Sequence, residues 1–394
     1  MNNFLNKISS KEFMRNPFIV SGYVSPEYFC DREKESAEFI RKVTNGNHLV
    51  LTSPRRMGKT GLIEHCFRQP EIAENFYTFF VDIYATSSLK EFVFKLGKEI
   101  FETLKPKGKR FVEQFFSVIS SLRPAFKLDE MSGTPVFDIG IGEIRAAEFT
   151  LEEIFKYLDT ADKPCLVAID DFQQIEKYPE KNIEATLRTY IQHCNNATFV
   201  FAGSQRHLMQ NIFFSSSRPF YQSAAILTLD VIDEDVYTEF ASRLFIQNKK
   251  QVSSDLIRKI YRLFEGHTWY IQAICNELFS LLNDNELCSE DKLFSAIKSR
   301  IYSYENLFLN TLNLLPQRQK ELLYAIAKEG KSKMITSGAF VKKHGLHSQG
   351  SVQTSAKQLL EKEIITQEKN IYWVYDRFFG LWLNDVFGTG IFKI

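Results

Sequence analysis

His-Leu-Val-Leu-Thr-Ser-Pro-Arg-Arg-Met-Gly-Lys-Thr-Gly-Leu, residues 48–62, is the stretch that decides the fold. The apolar run Leu49, Val50 and Leu51 reads as a buried strand that breaks at Ser53-Pro54. An amphipathic segment from Lys59, with Leu62, Ile63, Cys66 and Phe67 facing inward, reads as the helix that follows. Strand, tight loop, Gly-Lys-Thr and helix together separate a phosphate-binding loop from a chance match. Amides at the loop and at the helix start converge on one spot, where the helix dipole also favours negative charge. Lys59 would reach the β- and γ-phosphates, and the Thr60 hydroxyl would ligate Mg²⁺. The candidate nucleotide-binding set is Pro54, Arg55, Arg56, Met57, Gly58, Lys59, Thr60 and Gly61. One position departs from G-x-x-x-x-G-K-[ST]: Ser53 stands where the pattern has its first glycine. A serine fits there only with negative φ or with strain offset elsewhere. The bland alternative, a glycine turn beside an ordinary surface lysine, is the weaker reading once the flanks are counted.

Downstream, residues 164–175 read Pro-Cys-Leu-Val-Ala-Ile-Asp-Asp-Phe-Gln-Gln-Ile, an apolar strand ending in two carboxylates. Its tip would deliver Asp170 to the Mg²⁺ shell and Asp171 to an attacking water. Gln173 and Gln174 open the next helix, facing either the γ-phosphate or solvent. Residues 76–83, 197–202 and 224–229 supply three more apolar strands, and 88–104, 149–159 and 183–193 read as helices. Asp82 ends its strand and suits a phosphate neighbour or, more commonly, a helix cap. After the fourth strand come Gly203-Ser204-Gln205-Arg206; Ser204 is the candidate γ-phosphate sensor, against a plain structural turn. Arg206 and Arg218 are the candidate charge-stabilising arginines, with surface ion pairing as the alternative. Upstream, a helix over 33–43 takes Asp31 as its N-cap. Phe18, Phe29 and Arg32 are candidates to cover base and ribose, a helix that simply packs on the sheet being equally compatible.

The rest of the chain bounds the class. At 394 residues it exceeds one small domain, and 44% hydrophobic with 25% charged residues is the composition of a globular protein. A net charge of +1 excludes a chain that is globally a nucleic-acid glove. The aromatics fall at helix and strand spacings, which makes them core. Six scattered cysteines without a C-x-x-C pair read as free buried thiols in a reducing compartment. No signal-peptide-like region opens the chain and no run approaches a membrane span, so a cytoplasmic location is expected. Residues 105–150 interrupt the rhythm with a basic turn (Lys105, Lys107, Lys109, Arg110), a helix over 111–122 and a hairpin-like stretch over 124–142. The expected domains are a core at 1–231 carrying that insertion, a helical lid at 232–304 and a winged helix at 305–394. In the lid, the Gly266-His267 turn is read as structural. In the last unit a helix over 312–327, two shorter helices and a hairpin spell a winged helix-turn-helix. Its 12 Lys+Arg against 8 Asp+Glu give a net of +4, mildly basic. Ser348, Gln349, Ser351, Gln353, Thr354 and Lys357 could reach phosphates and base edges. Duplex DNA and a protein partner both stay open, as does assembly into oligomers.

Taken together, Phe29-x-x-Arg32-Glu33, Ser-Pro-Arg-Arg-Met-Gly-Lys-Thr, Ile-Asp-Asp-Phe-Gln, Ala-Gly-Ser and Tyr375-Asp-Arg-Phe-Phe-Gly-Leu-Trp-Leu resemble the archaeal-type ATPases among the STAND/AAA+-like P-loop NTPases. The resemblance implies an α/β fold with a doubly wound parallel sheet of order 5-1-4-3-2, an all-α lid and a C-terminal winged helix. It also implies ATP with Mg²⁺ and switch-like behaviour, with Lys59, Thr60, Asp170 and Asp171 at the phosphate, metal and water-activating positions. Three departures stand out: Ser53, Asp171 where glutamate is usual, and Gly266-His267-Thr268 without the lid's proline. The first two point to slow turnover. Initiator-type DNA binding and a nucleotide-holding scaffold without hydrolysis are the competing expectations.

Overall fold

A computed structural model describes residues 16–104, 109–128, 135–137 and 146–388. Two compact units divide the chain, one formed by Gly22–Val231 and the other by Ile232–Ile394 together with the N-terminal segment up to Ser21.

The first unit is built on five parallel strands: β1 (Leu49–Thr52), β2 (Tyr77–Asp82), β3 (Cys165–Asp170), β4 (Ala197–Gly203) and β5 (Ala225–Thr228). Their order is 2-3-4-1-5, which read from the other edge is the expected 5-1-4-3-2. Every residue of β1 and β4 is buried, the pattern of strands covered on both faces by crossover helices. Side-chain alternation divides the core in two. Val50, Phe79, Val81, Val167, Ile169, Phe199 and Phe201 enter one face, packed by the helices Leu89–Leu104 and Ala147–Asp159. Leu49, Leu51, Leu166, Ala168, Val200 and Ala202 enter the other, against Glu33–Thr44 and Lys59–Phe67. Thr52 pairs with Gly203 and Asp82 with Asp170, so the strand ends form one rim, where ligands of such sheets bind.

The insertion contains a helix (Lys109–Val118), a 3-10 turn (Ser120–Ala125) and a short antiparallel pair, Phe126–Leu128 with Pro135–Phe137. The buried Glu153 carboxylate accepts from the Ser120 amide and hydroxyl and the Ser121 amide, which fastens the turn to the neighbouring helix. Lys105, Lys107 and the rest of the expected hairpin around Ile139 and Ile141 lie outside the described residues.

The second unit begins with the helices Glu234–Gln247, Ser254–Leu263, Thr268–Leu281 and Glu290–Tyr302. His267 N-terminates the third of these, and burial holds its imidazole down to about 4, in line with a structural role. Phe18 was a candidate to cover the nucleotide; the structure instead buries it completely in this unit, 4.5 Å from Phe245 by ring centroids. Trp269 and Asn276 fix the segment by donating to the Val20 and Phe18 carbonyls. The apolar environment among the lid helices outcompetes an exposed position for a side chain with no polar atom.

The winged helix follows, with one correction. The single helix expected over 312–327 is two, Glu305–Asn313 and Gln317–Glu329, because Pro316 lacks an amide proton and disfavours helical backbone in Leu315. Gly338–Lys343 and Gln349–Glu361 complete the helices. Strands β6 (Ser332–Lys333), β7 (Ile365–Glu368) and β8 (Ile371–Val374) form the sheet in the order 6-8-7. The motif from Tyr375 becomes a closing helix, Arg377–Phe387, whose Trp382 is 1% exposed. Its Phe378 packs on Phe264 and Tyr270, and Arg377 pairs with Glu265, so lid and winged helix share one core. All six cysteines are free thiols. Among the described residues no helix is long and apolar enough to cross a membrane.

Candidate nucleotide site

The loop after β1 resolves the Ser53 question. Ser53 stays out of the left-handed region, which Arg56 (φ 67°) and Gly58 (φ 88°) adopt instead. The turn therefore does not require glycine at the first position. Ser53 is fully buried, and its hydroxyl donates to the Pro54 carbonyl at 2.9 Å. Gly58 precedes the helix Lys59–Phe67, and no side chain caps that terminus, which leaves its first amides for a ligand. Lys59 is only 8% exposed and reaches the Ser53 carbonyl and hydroxyl oxygens at 3.5 Å, with no ion pair among the described residues. Burial pushes its ammonium below the ordinary lysine range, against the pull of Asp170 and Asp171.

At the tip of β3, the Thr60 hydroxyl donates to Asp170 Oδ2 at 2.9 Å, across 110 residues of sequence. Burial raises the Asp170 carboxyl above its usual value, opposed by Lys59 and by that hydrogen bond. Asp170 Oδ1 accepts from the Asp171 amide at 3.0 Å. Asp171 itself is left-handed (φ 54°), which turns its side chain off the strand axis. Its Oδ1 accepts from Gln173 Nε2 at 2.9 Å and from Ser204 Oγ at 3.1 Å. Arg55 Nε donates in turn to Ser204 Oγ at 3.2 Å, with its guanidinium 5.5 Å from the Tyr84 ring centroid. The chain Arg55–Ser204–Asp171–Gln173 thus joins the loop to the ends of β4 and β3. Gly203 leaves room for Gln173 and Met209: a Cβ there would stand 2.5 Å from Gln173 Oε1 and 2.5 Å from Met209 Sδ, so both side chains would have to shift.

Sequence reasoning brought Lys59, Thr60, Asp170, Asp171 and Ser204 together, and the fold places them at one rim. It missed the grip of Gln173 and Arg55 on Asp171 and Ser204, for which the only signal was the polar character of the residues after each strand. Arg218 pairs with Glu176 and Glu184. Arg206 opens the helix Arg206–Phe214, and its side chain lies outside the described structure. Arg32 is buried and left-handed (φ 78°), donating to Glu35 at 2.6 Å and to the Asp230 carbonyl at 2.7 Å. It, rather than Asp31, occupies the N-cap position of Glu33–Thr44. Asp31 and Arg32 are both left-handed, so Asp31 lacks the extended backbone of a capping residue, while the helix itself starts at Glu33 as expected. Phe29 stacks on His65 at 4.5 Å and lies 3.6 Å from where a Cβ on Gly61 would stand. Tyr23 closes the cluster through its hydroxyl, 2.9 Å from His65 Nδ1. Met57 is buried, and Pro54 is partly so.

A doubly wound sheet with this loop, a Thr–Asp pair and a strand-tip carboxylate defines a nucleotide-binding P-loop ATPase. The family described as an ATPase domain predominantly from Archaea matches residues 29–274, and a probable winged helix domain matches residues 306–385. The chain belongs to that ATPase family. In fold it is similar to a Walker-type ATPase of Pyrococcus abyssi, at 18% identity and TM-score 0.64 over 93% of this chain and 99% of that one. It is also similar to the Aeropyrum pernix ORC2 protein in ADPNP–ADP complexes, at 13% identity and TM-score 0.60 over 94% and 96% of the two chains. The Aeropyrum pernix ORC1 protein in complex with DNA follows at 12% identity and TM-score 0.54, over 94% and 96%. Among curated proteins no sequence match was found.

Proposed function

We propose that the chain is a magnesium-dependent ATPase of low turnover, used as a conformational switch. The observation that carries this reading is the 2.9 Å contact between the Thr60 hydroxyl and Asp170 Oδ2, beside a buried lysine. The donor set fits Mg²⁺: hard oxygens, one hydroxyl and one carboxylate, with the remaining positions left to phosphate and water. Bound there, Mg²⁺ would neutralise charge on the β- and γ-phosphates. Lys59 and the uncapped amides of its helix hold the phosphate tail. Thr60 and Asp170 are the metal-binding pair. Asp171 orients the attacking water through Oδ2, because Oδ1 is already taken by Gln173 and Ser204. Water adds to the γ-phosphorus, the bond to the β-bridging oxygen breaks, and ADP and phosphate leave. The short side chain of Asp171 and its two tethers support slow hydrolysis.

The core at 22–231 would bind, while the lid at 232–304, carrying the segment up to Ser21, and the winged helix at 305–394 would carry the response. Their shared core around Phe378 supports their moving as one body. The test is phosphate release by the wild type, Lys59→Ala and Asp171→Asn. Slow release in the wild type, abolished in both variants, supports the reading. Release in Asp171→Asn at the wild-type rate would defeat the assignment of Asp171, and the same result in Lys59→Ala would defeat the site.

A second reading, in which nucleotide licenses duplex DNA binding, is favoured by one observation. The helix Gln349–Glu361 turns Gln353, Thr354 and Lys357 to solvent. Duplex affinity that falls steeply with salt supports it, and no affinity at low salt dismisses it.

A further inference from the structure

The winged helix carries a groove next to its exposed helix face, with Thr354 belonging to both. It has a volume of about 620 Å³ and lies between the start of Gln317–Glu329 and the start of Gln349–Glu361. Among the described residues, no carboxylate lines it. Four features give it a sign.

The N-terminus at Gln317 has Pro316 as its cap residue, so no side chain satisfies its first amides. Arg318 stands exposed at the mouth and forms no ion pair among the described residues. Ser355 also lines the groove; it is 6% exposed, and its hydroxyl has no hydrogen-bond partner among the described residues. The fourth feature is a relay whose direction is fixed chemically. Lys362 Nζ can only donate, and it does so to Gln319 Oε1 at 3.1 Å. Gln319 Nε2 must then donate to Gln358 Oε1, at 2.6 Å. The free end of Gln358, another lining residue, is therefore its NH₂. Amides, guanidinium, hydroxyl and a terminal NH₂ surround a space without an acid.

We propose that this groove binds a phosphodiester of a nucleic-acid backbone, which deepens the duplex reading and rests on it. One guanidinium and about half a charge at a helix terminus match a monoanion better than a phosphomonoester carrying about two. At about 620 Å³ the groove is larger than one phosphate, which leaves room for the sugars on either side of a phosphodiester.

The test is fluorescence anisotropy of the full chain with a labelled duplex over a salt series. Arg318→Gln should weaken binding severalfold and lower the slope of log K against log salt by about 1. Ser355→Val should weaken binding without changing the slope. Lys328→Gln, which removes one charge at the far end of the same helix, should leave the slope intact. Wild-type behaviour in both groove variants overturns the proposal while the duplex reading survives. If the wild type does not bind duplex, that reading fails. Inorganic phosphate is then titrated against the backbone amide resonances of Gln317 and Arg318. Shifts there, absent in Arg318→Gln, would leave a small-anion site in place of a phosphodiester site, and no shifts would remove the groove as an anion site altogether.

Discussion

Replacing Lys59 with methionine should make the nucleotide-free protein more stable and the nucleotide-loaded protein less so. The wild-type ammonium is 8% exposed, has two contacts at 3.5 Å and no ion pair among the described residues, and burial lowers its proton affinity. Exchanging a poorly compensated buried charge for an apolar chain of similar length stabilises by about 1 kcal/mol or more. For a unit of this size that is a rise of about 2–4 °C in Tm. The opposite happens with ligand. ATP at a hundred times its Kd stabilises the wild type by about 2.7 kcal/mol, or about 5–11 °C. Loss of a charge-assisted bond to phosphate costs about 1.5–3 kcal/mol, so at the same concentration the variant gains only about 0.3–1.3 kcal/mol. The two melting series should therefore cross. The pH dependence has a defined sign. Folded Lys59 sheds its proton below the ordinary lysine value while the unfolded chain keeps it, so wild-type stability gains on the variant as pH rises through that window. Differential scanning fluorimetry with and without ATP is sufficient. A destabilised apo variant, or an undiminished ATP shift, would refute the reasoning.

Gly203→Ala forces Gln173 and Met209 aside, costs about 1–3 kcal/mol of stability and, by displacing Asp171, lowers turnover tenfold or more with little change in nucleotide affinity; single-turnover phosphate release beside equilibrium binding separates the two. Phe18→Ala should destabilise the second unit by about 3 kcal/mol or more in denaturant titration, since a fully buried ring between Phe245 and Phe279 is lost. Burial works to raise the Glu265 carboxyl, yet Lys331 and Arg377 outweigh it and hold the group below its usual value. Its contribution is present above the ordinary glutamate value and lost as pH falls through the lowered one. Glu265→Gln should thus cost under ~1 kcal/mol near pH 7, given the 41% exposure of that side chain, and nothing in strong acid.

What was legible in the sequence is what local order encodes. Leu49-Val50-Leu51 followed by Gly-Lys-Thr gives a strand, a turn and a helix start within fifteen residues, and the apolar run into Asp170-Asp171 gives a strand end. The strand order followed from the family resemblance, and the parallel pairing agrees with it. The Pro316 break was equally local, and the helical period of the surrounding leucines masked it. The tethers on Asp171 were not legible, because Ser204 lies 33 residues from it and Arg55 lies 149 residues from Ser204. A left-handed Asp171 has no signature in residue type, since aspartate tolerates that region but does not announce it. Arg218 illustrates the same limit: its role turns on Glu176 and Glu184, two acids among many, which only the fold selects. For Phe18 the sequence left covering the ligand and simple packing equally open, and only the fold shows it buried beside Phe245.

The most direct measurement is calorimetric titration of ATP into the full chain, with excess Mg²⁺ and again in EDTA, for the wild type, Thr60→Val and Asp170→Asn. Convergence of loop amides, Lys59 and the Thr60–Asp170 pair on one triphosphate predicts tight binding that weakens when Mg²⁺ is removed, and near-equal, weaker binding in both conditions for the two variants. Wild-type affinity indifferent to Mg²⁺, or variants that retain the full Mg²⁺ effect, would contradict it.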